Sequence, residues 1–156
     1  MLVEPEIPPN TGNIARLCAA TRSPLHLVEP LGFRIDEHAV RRAGLDYWPL
    51  VDVRTHPNYA AARALVLAAE PAPRLFLFTG RASRSYLDAG FRPGDALVFG
   101  RESSGLPESI LAADPDAWLG IPTLGAVRSL NLANAVAIAL YEALRQIGEL
   151  DEPELG

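Results

Sequence analysis

Asn13 and Arg16 lie three residues apart in the run Pro8-Pro9-Asn10-Thr11-Gly12-Asn13-Ile14-Ala15-Arg16. On a helix that spacing puts both side chains on one face. An amide beside a guanidinium suits an oxygen-rich ligand such as a phosphate or a ribose. The plainer alternative is a helix start capped by Asn10 or Thr11 and followed by a solvated arginine. A second run, Phe99-Gly100-Arg101-Glu102-Ser103-Ser104-Gly105-Leu106-Pro107, passes from apolar residues through glycine into a polar loop whose single carboxylate is Glu102. Glycine lets a backbone approach a ligand closely. The pattern is neither the dinucleotide-binding G-x-G-x-x-G nor a Walker loop. A third run, Ile121-Pro122-Thr123-Leu124-Gly125-Ala126-Val127-Arg128-Ser129-Leu130-Asn131-Leu132-Ala133-Asn134, gathers Ser129, Asn131 and Asn134 at a helix start, with Asn131 as a plausible cap. Amides next to a buried apolar helix are costly unless they find partners, which favours a site over capping alone.

Short apolar runs predict the strands that must hold these groups: Leu25–Val28, Leu50–Val53, Leu75–Phe78, Ala96–Phe99 and Trp118–Ile121. Each is bounded by proline, glycine or charge, as buried parallel strands are. Between them lie helical patterns at Gly12–Thr21, Asp36–Ala43, Asn58–Ala69 and Asn131–Ile147. The alternation predicts an α/β fold with a mostly parallel sheet flanked by helices. Leu2-Val3 makes only a stub of a first strand, or a few residues upstream are missing. The last helix is apolar around more than half its circumference, through Ala133, Val136, Ala137, Ile138, Ala139, Leu140, Tyr141 and Leu144. Such a helix is buried on two sides, by its own core alone or with a second copy of the chain.

The 156 residues fit a single domain spanning 1–156, with an acidic loose end over about 149–156. No apolar run reaches the length of a membrane span and no secretory pattern opens the chain, so a cytoplasmic protein is expected. Cys18 alone forms neither a disulfide nor a zinc site, and reads as a packed core thiol. His26, His38 and His56 show no ligand spacing, so no metal is expected. The net charge of −5 argues mildly against nucleic acid as a partner. Every basic residue is arginine, however, and a few well-placed forks can grip phosphate.

Taken in order, the three runs resemble the signature motifs of the SPOUT-class, or α/β-knot, RNA methyltransferases, and the likeness covers almost the whole chain. Glu4-Pro5-Glu6-Ile7-Pro8-Pro9-Asn10-Thr11-Gly12-Asn13 and Arg41-Arg42-Ala43-Gly44-Leu45-Asp46-Tyr47 are most similar to the short, single-domain branch that methylates the wobble nucleotide of tRNA. The resemblance implies a C-terminal trefoil knot, a fold that general rules would not suggest. It implies S-adenosyl-L-methionine as methyl donor, with S-adenosyl-L-homocysteine as product, no metal, and transfer to a ribose 2′-hydroxyl at position 34. Phe78, Gly100, Ile121, Ser129 and Leu130 fall on positions that line the cofactor pocket in relatives, with Glu102 beside them. The resemblance implies a catalytic role for Arg16, Asn13, Ser129 and Asn131, and makes Arg16, Arg101 and Arg128 the RNA-binding candidates. A homodimer through helix 131–147, bound to the tRNA anticodon region, completes the expectation. The loop Thr123–Val127 departs from relatives in being slightly shorter and lacking an acidic residue.

Methyl transfer needs the oxygen in line with the methyl, and positioning alone contributes roughly 7–11 kcal/mol. Guanidinium is too basic to act as a free base, so Arg16 is read as a clamp on substrate phosphate. Glu102 serves the site or braces its loop; the sequence leaves both open. The rival readings are methylation of another RNA site, a non-catalytic cofactor- or RNA-binding module, and a flavodoxin-like nucleotide binder.

Overall fold

Parallel strands are buried on both faces and read as continuous apolar runs; Leu75–Phe78, with all four residues buried, is the clearest here. In the computed structural model the described residues are 1–33, 48–127 and 129–151. Strands β1 (Leu2–Val3), β2 (Leu25–Val28) and β3 (Val53–His56) form one parallel sheet in the order β1-β2-β3. Strands β4 (Leu75–Phe78), β5 (Ala96–Val98) and β6 (Trp118–Leu119) form a second, in the order β5-β4-β6. A parallel bridge between Leu2 and Phe99 joins the two. There Val3 N donates to Phe99 O at 2.8 Å and Phe99 N to Met1 O at 3.0 Å. The spatial order is therefore β3-β2-β1-β5-β4-β6.

Alternation along the strands divides the core between the two faces. Leu2, Leu27, Phe76, Phe78 and Leu119 pack with Ile14, Cys18, Val136 and Ala139 on one side. Val3, Val28, Leu75, Leu77 and Val98 pack with Ala62, Ile110 and Leu111 on the other. The helices follow as α1 (Pro8–Ala20), α2 (Tyr59–Leu67), α3 (Glu108–Ala113) and α4 (Leu132–Gln146), with α1 packed on α4. Cys18 is buried, as a core thiol should be.

Several expected boundaries shift. The run Leu50–Val53 is not a strand: residues Trp48–Leu50 form a 3₁₀ turn and the strand is Val53–His56. β3 is a sheet edge, so Arg54 and Thr55 stay exposed and the strand lacks the apolar signature that pattern reading seeks. Helix α1 begins at Pro8, four residues before Gly12, with Ile7 as its N-cap. Asn10 and Thr11 thus lie inside the helix, not at its cap. Prolines at the first helical positions need no N–H partner, which removes the demand for a side-chain cap. The two-residue β1, for all its brevity, pairs on both sides. The helix expected at Asp36–Ala43, the Arg41–Tyr47 run, His38, Arg128 and the tail beyond residue 151 lie outside the described residues. Among the described residues, no helix is long and apolar enough to cross a membrane.

Candidate functional site

In open parallel sheets, ligands sit beyond the carboxyl ends of strands. Phe78 closes β4, Phe99-Gly100 follow β5, and Gly120-Ile121 follow β6. Beyond these ends opens a cleft of about 860 Å³, within the range of small-molecule sites. Its floor includes Phe78 and Phe99, stacked with centroids 4.5 Å apart and planes 16° apart.

Gly100 has no room for a side chain. A Cβ there would stand 2.1 Å from the carbonyl carbon of Gly105 and from the nitrogen of Leu106. Arg101 N donates to Gly105 O at 3.0 Å and Gly105 N to Arg101 O at 2.9 Å, closing loop 101–105 on itself. Gly105 takes a φ of +73°, a conformation that suits glycine. The resulting cleft wall is largely backbone and small side chains.

Glu102 turns away from a free catalytic role. Its Oε2 accepts from Glu6 N at 2.8 Å; its Oε1 accepts from Ile7 N and from Asn10 Nδ2, each at 3.1 Å. The carboxylate thereby serves the orphan amides at the start of α1, where helix polarity also favours negative charge. Asn10 Oδ1 in turn accepts from Asn131 Nδ2 at 3.0 Å. Asn131 Oδ1 caps α4, accepting from Ala133 N at 2.9 Å and Asn134 N at 3.3 Å. One hydrogen-bonded chain, Glu102–Asn10–Asn131, thus ties together all three motif segments. Asn10 is 6% exposed, so a missing partner there would be costly.

Phe78, Gly100, Arg101, Glu102, Ile121, Ser129, Leu130 and Asn131 all line the cleft. Asn13 and Arg16 do not; both are exposed on α1. Arg101 is ion-paired with Glu4, which offsets its charge. Asn134 is exposed, so it carries no burial cost and gives no argument for a site. At the mouth, Arg81 pairs with Glu108 at 2.5 Å and lies 5.0 Å from the Trp118 ring centroid. The Arg81 guanidinium holds the Glu108 carboxyl below its ordinary range. Sequence reasoning missed three contributors: Asn10, Phe99 and Arg81. For Asn10 the signal was present, since a helix opening on two prolines leaves an asparagine in its first turn without a capping task. His26 and His56, distant in sequence, meet across β2 and β3 with Nδ1 and Nε2 2.9 Å apart and rings stacked.

Residues 1–141 match the model of the SpoU rRNA Methylase family. The chain is 50% identical over 155 residues to a tRNA (cytidine(34)-2'-O)-methyltransferase from Acidovorax sp. (strain JS42), covering 98% of this chain and 94% of that one. It is 52% identical, with a TM-score of 0.83, to a structure solved for insight into the 2-OH methylation of C/U34 on tRNA, covering 93% of this chain and 92% of that one. An AdoMet-bound rRNA methyltransferase from Sinorhizobium meliloti is 26% identical, with a TM-score of 0.77, over 92% of this chain and 54% of that one.

Proposed function

Since the chain belongs to the SpoU rRNA Methylase family, we propose that it transfers a methyl group from S-adenosyl-L-methionine to the ribose 2′-oxygen of the wobble nucleotide, position 34, of tRNA. The observation that carries this is the cleft beyond β4, β5 and β6. It gathers Phe78, Gly100, Ile121, Ser129 and Leu130 in a chain that matches a wobble-position relative nearly end to end.

The residues present fit an adenosyl group. Gly100 keeps the wall free of side chains, and the Phe78 and Phe99 rings give an apolar floor. The backbone groups of residues 100–106, 120–127 and 129–131 supply donors and acceptors for a base edge. In this reading the segment from β6 to α4 is threaded as the trefoil knot of the class. The cofactor supplies a methyl group on a sulfonium. Ser129 and Asn131 border the cleft where the ribose must enter, and Asn131 is held there by Asn10.

Arg16, through the bidentate fork of its guanidinium, grips a substrate phosphate and aims the ribose, while the hydroxyl proton leaves to phosphate or water. Arg16 lies six residues from Asn10, about 9 Å along the helix axis, and does not line the cleft of its own chain. We therefore place it, with Asn13, at the cleft of a second copy. That dimer forms through α4, which buries Leu132, Val136 and Ala139 in its own core and leaves Ile138 and Tyr141 38% and 47% exposed. Arg128 joins it as a contact to RNA phosphate. The whole chain acts as one domain, in the cytoplasm with its tRNA substrate.

The test is to incubate the purified protein with methyl-labelled S-adenosyl-L-methionine and bulk tRNA from a host lacking this modification, then map the label. Label on the ribose of nucleotide 34 is the expected result. A parallel incubation with ribosomal RNA is the control: label there alone overturns the choice of substrate, and no transfer to either RNA overturns the reading.

A further inference from the structure

Segment 4–7 and loop 101–103 hold each other by reciprocal contacts that cofactor binding alone does not require. Glu6 N donates to Glu102 Oε2 at 2.8 Å. In the opposite direction, Ser103 N donates to Glu6 Oε2 at 3.0 Å and the Ser103 hydroxyl to Glu6 Oε1 at 2.9 Å. Each strip thus offers a backbone N–H to a glutamate of the other, the same reciprocity that makes a capping box effective. The Glu4–Arg101 ion pair adds another rung two residues away on each side. Hydrogen bonds to charged acceptors are the stronger kind.

We propose that Glu6 and Ser103 are positioning residues for methyl transfer: they form a clasp that fixes the cofactor loop relative to helix α1. The inference rests on the functional reading above. Loop 100–105 walls the cleft that seats the methyl donor, and segment 4–7 runs directly into helix α1, whose Asn10 lines the same cleft and holds Asn131 beside it. In-line transfer tolerates little error between donor and acceptor. A loosened clasp leaves loop 100–105 in place as a wall, with Ser103 itself part of the lining, but lets the loop drift relative to α1. Both residues reach the surface, Ser103 exposed and Glu6 partly so, so changing them removes no core packing.

The experiment compares wild type, Glu6→Gln, Ser103→Ala and the double variant, using tRNA and S-adenosyl-L-methionine. Steady-state kinetics are read beside thermal melting and calorimetric titration with S-adenosyl-L-homocysteine. The clasp predicts that kcat falls about tenfold in each single variant. The double variant should fall no further, because residues acting as one unit are not additive. The KM for the cofactor and the product's Kd should stay within about threefold, and folding should persist. Either of two results overturns the clasp: kcat within twofold of wild type in both single variants, or losses that multiply in the double. Wild-type transfer in the same assay reports on the functional reading itself. If wild type transfers no methyl group, that reading fails and the clasp with it; if only the pattern among variants fails, the function stands.

Discussion

At the scale of single residues, the chemistry rests on what is missing as much as on what is present. Gly100 is the sharpest case, because any β-carbon would overlap the backbone of Gly105 and Leu106. Gly100→Ala should therefore weaken S-adenosyl-L-homocysteine binding by at least about 100-fold, close to 2.7 kcal/mol, as read by calorimetry; unchanged affinity would refute the close-approach argument. Glu102→Gln places an amide N–H₂ among donors from Glu6, Ile7 and Asn10. Leaving such donors unsatisfied costs about 1–3 kcal/mol, or several degrees of melting temperature for a chain of this size. A thermal melt checks it: a variant as stable as wild type would mean that the carboxylate does not brace α1. The sequence offered Glu102 and Asn131 as polar groups in strand-to-helix loops, and Gly100 as a point of close backbone approach that the family resemblance placed at the cofactor pocket. It could not assign Glu102 a task, since its partners Glu6, Ile7 and Asn10 lie more than ninety residues away in the chain.

At the scale of elements, legibility followed burial. β2 and β4 matched their apolar runs, Leu25–Val28 and Leu75–Phe78, because both are covered on each face. β3 was misplaced because an edge strand needs little apolar sequence. Asn131 could be read as a cap from its place before an apolar helix, and it caps α4. Asn131→Ala should cost about 1 kcal/mol as a lost cap, and more through the broken link to Asn10. The pairing of β2 with β3 also has a consequence in pH. Burial, with help from nearby positive charge and from His56, pushes the His26 pKa down from 6.5 to about 4; burial also lowers that of His56. The folded state thus binds fewer protons than the unfolded chain between those values. Stability is full above about pH 6.5 and declines as pH falls towards 4. Urea melts at pH 7.5 and pH 5 should show the loss, and His26→Gln should flatten the profile. An equal slope in that variant would place the effect elsewhere.

At the scale of the whole molecule, an acidic chain that acts on RNA must economise on positive charge. Among the described residues, Arg54, Arg74, Arg81, Arg101 and Arg145 are held in ion pairs with carboxylates. The pairing of Arg101 with Glu4 offsets its charge and weakens its case as a phosphate contact. A site shared between two copies predicts complementation. Arg16→Ala and Gly100→Ala, each inactive alone, should regain up to about a quarter of wild-type activity when mixed and allowed to exchange, because half the dimers are mixed and each carries one complete site. Mixtures as inactive as their parts would keep Arg16 within its own subunit. No rule of composition or periodicity suggests a threaded chain or a site divided between copies; both enter this account as proposals, raised by the family resemblance. The central claim, transfer to one ribose oxygen, is tested most directly with two synthetic tRNAs that differ only at nucleotide 34, one with ribose and one with 2′-deoxyribose. The account predicts methyl label on the first and none on the second; equal labelling of both would contradict it.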